Sequence, residues 1–246
     1  MSPLGLLHLI LKAMNHENPE TIIQSLYRWE EIRRGKDAEK VIQLFANIKE
    51  FTFQIPTGAD NWYHVYFGVL NEEGQESLKL YIIPAGCDTE KSYNEGELFP
   101  SIISCNTLMN SNENEIPEHE AKALILNWEN HYKMWIEEQA GGQDGMVCQA
   151  FAVPGEDLPA GEPLRCFLAL KNTSNSSSRA LSYAADLVFT NKQGELLYYP
   201  KKDVAVAPIE KYYDLARPVP PFKKGTVTAR ENFFLLVLLP VLNEHL

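Results

Sequence analysis

A chain of 246 residues has room for one large or two ordinary domains, and either buries a real core. Its 45% hydrophobic and 22% charged residues are those of a globular protein, not of a disordered one. The formal charge of −11 argues against nucleic acid as a partner, because neutralising phosphates takes clustered Lys and Arg, and Arg33-Arg34, Lys201-Lys202 and Lys223-Lys224 are scattered doublets.

The first apolar segment, Leu4–Met14, reads as a short enclosed helix, without the basic flank or small-residue cleavage site of a secretory signal. Asn18 then caps a second helix, with Pro19 at the first helical position, where its missing N–H costs nothing. Ile22, Ile23, Leu26 and Trp29 share one face, and Arg33-Arg34-Gly35 closes the helix with cations at its negative end. Asp37 opens another helix with Val41, Ile42, Phe45 and Ile48 turned inward. Phe51, Phe53 and Ile55 alternate as a half-buried strand ended by Pro56. Trp62–Leu70 and Leu78–Ile83 are strands joined by the turn Asn71-Glu72-Glu73-Gly74.

Residues 88–115 are polar and turn-rich, and Asn110–Glu115 is the best linker. Pro117 starts a long helix with a stripe of Ala121, Leu124, Ile125, Trp128, Tyr132 and Trp135 or Ile136, ended by Gly141-Gly142. Phe151–Pro154, Arg165–Leu170 and Leu181–Thr190 are strands, and Leu196–Tyr199 adds an edge strand. Residues 200–224 hold five prolines and read as extended. Thr226–Leu246 is a closing helix that Pro240 must kink or end. Its apolar stretch Phe233–Leu242 is ten residues long, too short to cross a bilayer as a helix.

Three landmarks recur in order. Trp29-Glu30 precedes Phe53-Gln54-Ile55-Pro56, and Trp128-Glu129 precedes Phe151-Ala152-Val153-Pro154, with 98 residues between the two Phe. A strand follows each. The expectation is therefore an α+β protein of two similar tandem units, residues 1–110 and 116–246, each made of helices followed by a small antiparallel sheet.

Chemistry is sparse. There is no Gly-x-Gly-x-x-Gly, phosphate loop, Gly-x-Ser-x-Gly elbow or His-Glu-x-x-His. Glu118-His119-Glu120 and Glu129-Asn130-His131 suggest a metal cluster, but twelve helical residues separate the two histidines by about 18 Å, so they read as a solvated face. His64, with Cys87 or Asp60, is a conceivable catalytic pair, although a strand histidine is more often structural. Cys87, Cys105, Cys148 and Cys166 lack any Cys-x-x-Cys spacing and read as reduced thiols, which suggests a cytoplasmic protein. Tyr212 and Tyr213, with Phe222, lie among prolines and suit a protein contact.

From Ile116–Lys122 and Asn127-Trp128 through Phe151–Pro154 to Arg165–Leu170, the chain resembles a group of uncharacterised bacterial proteins. Those proteins often end in Tyr-Asp followed by Cys-Pro-Pro-x-Cys. Here Tyr213-Asp214 and Val219-Pro220-Pro221-Phe222-Lys223 stand in that place without the cysteines. The resemblance supports the architecture and implies no activity. The expected function is a non-catalytic binding or interaction protein with an unknown protein partner, no cofactor and no metal. The alternative is an enzyme working in a cleft between the units through His64, Cys87, Asp60 or the acids Glu118 and Glu120. A third reading makes Phe233–Leu242 an exposed docking element for a larger assembly.

Overall fold

A computed structural model describes residues 17–46, 48–56, 60–109, 119–141, 147–155, 158–173, 183–191, 217–218 and 233–243. The helices are α1 (Pro19–Arg34), α2 (Ala38–Phe45), α3 (Glu90–Asn94), α4 (His119–Gly141) and α5 (Phe234–Asn243). The strands are β1 (Ile48–Gln54), β2 (Trp62–Glu72), β3 (Gln75–Pro84), β4 (Ile103–Ser104), β5 (Asn106–Met109), β6 (Ala150–Pro154), β7 (Pro163–Asn172), β8 (Tyr183–Asn191) and β9 (Arg217–Pro218). The segment Leu4–Met14, the edge strand expected at Leu196–Tyr199 and most of residues 200–224 lie outside the described residues.

The helix caps act as the sequence suggests. Asn18 Oδ1 accepts from Glu20 N at 3.1 Å, and Asp37 Oδ1 from Lys40 N at 3.0 Å. Arg33 Nε reaches back 2.5 Å to Glu30 Oε2, so the basic end of α1 is also tied to its own last turn. The β2–β3 turn is tighter than expected. Glu72 pairs with Gln75, and Glu73 and Gly74 both take positive φ (52° and 85°), the two-residue hairpin whose twist suits antiparallel strands.

The strands form two antiparallel sheets, one in the order β5-β1-β7-β8 and the other β4-β3-β2-β6-β9. Neither sheet comes from one half of the chain alone. β1 pairs with β7 through Phe51–Cys166 and Phe53–Leu164, while β6 pairs with β2 through Phe151–Val65 and Val153–Tyr63. The strand that opens each half thus lies against the hairpin of the other half. This corrects the expectation of a separate small sheet in each unit. Period-2 alternation specifies which face a strand buries and says nothing of which neighbour it joins.

The inner faces of the two sheets close on each other. Tyr63, Val65, Phe67 and Val69 of β2 meet Leu164, Cys166, Leu168 and Leu170 of β7 in one continuous core. At its rim Trp29, Phe45, Phe67 and Trp128 interlock edge to face, with ring centroids 5.3–5.9 Å apart. The two repeated tryptophans are therefore core residues.

Helices cover both outer faces. α4 lays Ala121 and Ile125 on Phe167, Ala169 and Val188. Asn127 Nδ2 donates to Leu170 O at 3.2 Å, and Trp135 Nε1 to Tyr183 O at 3.2 Å, fastening the helix to β7 and β8. Arg165 pairs with buried Glu50 across β1 and β7, its Nε 2.9 Å from Oε2. Asn127 and Arg165 thus work as fastenings of the fold. On the other sheet α1 sits close because Gly68 leaves room. A Cβ there would stand 2.4 Å from Ser25 Oγ and 2.6 Å from Tyr81 Cε2.

α5 lies beside α1, with Phe233, Leu235, Leu238 and Leu239 buried. This overturns the reading of Phe233–Leu242 as an exposed docking element: the face that would dock is spent on this chain's own sheet. Pro240 lies inside the helix, which continues to Asn243. No described helix is long and apolar enough to cross a membrane.

Candidate functional site

The outer face of the second sheet carries the most concentrated polar chemistry among the described residues. Alternation along β2 puts His64 and Tyr66 on the same side. After β3 the chain turns sharply at Pro84, whose carbonyl accepts from Cys87 N and Asp88 N at 2.8 and 3.2 Å. That turn carries Asp88 back over β2. His64 Nδ1 lies 2.6 Å from Asp88 Oδ2, and the Tyr66 hydroxyl donates to the same oxygen. A carboxylate oxygen only accepts, so the His64 proton sits on Nδ1. All three side chains are fully buried.

The other carboxylate oxygen faces α5. Leu235 N donates to Asp88 Oδ1 at 2.9 Å, and the Phe233 ring stacks on the His64 ring with centroids 4.0 Å apart and planes 21° apart. Phe233 stands immediately before α5, where Ser, Thr, Asp or Asn would normally satisfy the first free N–H groups. Phe has no group to do so. Asp88 does it from 147 residues away, and its negative charge suits the positive end of the helix.

Burial, with the Asp88 carboxylate beside it, pushes the Tyr66 hydroxyl well above the usual phenol range, so it stays protonated and remains a donor. Asp88 therefore receives three donors. His64 Nε2 receives none: it is buried and without a hydrogen-bond partner.

The other candidate residues are placed as follows. Asp60 does not meet His64; its Oδ2 accepts from Gly86 N at 2.9 Å and its Oδ1 from Asn61 N at 2.7 Å, bracing the turn. Cys87 is half-buried and free, and the acid that meets His64 is its neighbour Asp88. His131 stacks on Tyr183 at 5.1 Å. His119 and Glu120 begin α4, and Glu118 lies outside the described residues. Tyr212, Tyr213 and Phe222 also lie outside them. Among the described residues no three His, Cys, Asp or Glu side chains converge as metal ligands.

Burial keeps the thiols of Cys105 and Cys166 well above the usual range. Cys148 is pushed up to about 12, chiefly by burial, with Arg33 pulling the other way. These are poor nucleophiles at neutral pH.

Sequence reasoning missed Asp88 because the turn after Pro84, rather than any spacing, brings it to His64. The available signal was the shared face of His64 and Tyr66, two polar side chains in the buried stretch of the strand. Comparison of the chain with protein-family models, curated proteins and solved structures finds no match.

Proposed function

We propose that the chain is a non-catalytic binding protein that works through contact with another protein. One observation carries this reading: Asp88 Oδ1 is engaged by the backbone of α5, and the ring face of His64 by Phe233 just before it. This polar cluster holds a polypeptide segment. The enzyme reading wants a cleft between the units, and the packing of Trp29, Phe45 and Phe67 of the first half against Trp128 of the second supports the same view. We take the two halves as similar units that trade their opening strands, Tyr212, Tyr213 and Phe222 as a contact surface, and the compartment as the cytoplasm.

The test is direct binding. Intact chain and a Tyr212→Ala/Tyr213→Ala/Phe222→Ala variant are used to isolate a partner, which is then purified and titrated. A saturable 1:1 complex weakened in the variant supports the reading, and failure of every retained protein to bind when purified sinks it.

The His64–Asp88 pair favours a second reading. An Asp-oriented imidazole with a bare Nε2 is the arrangement of a general base, and it would act once α5 lifts. A turnover that disappears in a folded His64→Ala variant would establish this reading in place of the first.

A further inference from the structure

We propose that the His64–Asp88–Tyr66 surface is a docking socket for an aromatic-led, uncapped helix N-terminus of a partner protein, and that α5 is its resident internal occupant. This deepens the interaction reading and rests on it.

The occupant's chemistry is read from α5 itself. The socket offers a ring face to stack on, which Phe233 uses at 4.0 Å. It also offers a carboxylate to the first N–H groups of a helix, which Leu235 N uses at 2.9 Å. A segment that brings its own Ser or Asp cap has less need of Asp88, so an uncapped helix is selected. The apolar surroundings, Ile83 and Ala152 with Tyr66, favour aliphatic residues in the turn that follows.

A second observation points beyond α5. His64 Nε2 is fully buried and α5 gives it no partner. Leaving such a buried polar atom unpaired in an enclosed site is unfavourable. α5 is therefore an incomplete ligand. A partner segment that supplies the same ring and N–H together with one donor to Nε2 has the advantage in exchange.

The probe is a fluorescent peptide matching residues 232–243 with a solubilising lysine tail, made with Phe or Ala at the position of Phe233. It is titrated into the intact chain and into full-length Phe233→Ala. The Phe233→Ala chain is expected to bind the Phe-led peptide about tenfold or more tighter than the Ala-led one. The intact chain, whose own α5 competes, should bind it about tenfold or more weaker than Phe233→Ala does. Adding His64→Ala should abolish the Phe preference.

Equal binding of Phe-led and Ala-led peptides overturns the socket, as does a Phe preference that survives His64→Ala. A folded Phe233→Ala chain that binds neither peptide overturns it too. If Phe233→Ala does not fold, hydrogen exchange of the intact chain decides instead. Excess Phe-led peptide should speed exchange across residues 233–243, and unchanged exchange refutes the exchange of occupants. None of these failures touches a partner held through Tyr212, Tyr213 and Phe222, so the broader reading is judged separately.

Discussion

Asp88 is the residue on which the most partners depend. Its two oxygens hold His64, Tyr66 and the first turn of α5. Replacing it by Ala leaves three buried donors without an acceptor, and we expect a loss of about 3–5 kcal/mol in denaturant unfolding. His64→Phe removes the unpaired Nε2 along with the pair and should cost less. An Asp88→Ala variant as stable as the parent would show that the network contributes nothing net. The cysteines give a second prediction at this scale. With Cys105 and Cys166 buried and their thiols held protonated, native protein at pH 8 should leave both unalkylated by iodoacetamide, while denatured protein should label all four cysteines. Mass spectrometry of the labelled sites checks this.

The same groups determine how stability responds to alkali. Cys105, Cys148, Cys166, Tyr66 and Tyr81 all have folded-state pKa values above their ordinary ones, chiefly from burial. Above the ordinary thiol value of 9.0 the unfolded chain loses protons that the folded chain keeps. The unfolded state then binds fewer protons, so stability falls as pH rises. Melting temperature should decline from about pH 9 upward, and more steeply past the ordinary tyrosine value of 10.0. A flat profile from pH 8 to 11 would contradict this assignment.

Among the elements, α1 packs closely on the second sheet. Gly68 faces Ser25 and the Tyr81 ring with no room for a methyl group. Gly68→Ala should destabilise by about 1–3 kcal/mol, the usual cost of overpacking. Adding Ser25→Gly should recover part of that loss, because it removes the nearer of the two clashes. Equal thermal melts for parent and Gly68→Ala would mean that α1 shifts freely. For the elements themselves the sequence was informative. The Asn18 and Asp37 caps, the stripe on α4 and the alternation in β1, β2 and β7 are written in local spacing, and local hydrogen bonding enforces them. α5 was legible as an apolar helix, but its start was not, since Phe233 carries no cap and Asp88 supplies one from a distant turn.

Across the whole molecule the traded strands make the halves interdependent. Residues 1–115 expressed alone lack β6 and β7, and residues 116–246 lack β1 and β2, so each exposes an apolar sheet edge. Each half alone should give the poorly dispersed or broadened NMR spectrum of an unfolded or associated chain, and co-expression of the two should restore the native fold. Two halves that fold separately as monomers would refute this dependence. What the sequence determined by itself was the class of fold, the longer described helices and strands and the residues that face inward, because hydrophobic period and caps act over a few residues; the short helix α3 and the strands β4 and β5 were not among them. Which strand pairs with which, and which acid meets His64, were decided only by tertiary structure. Both depend on chain segments 24 to 115 residues apart meeting in space, and no local spacing encodes such a meeting.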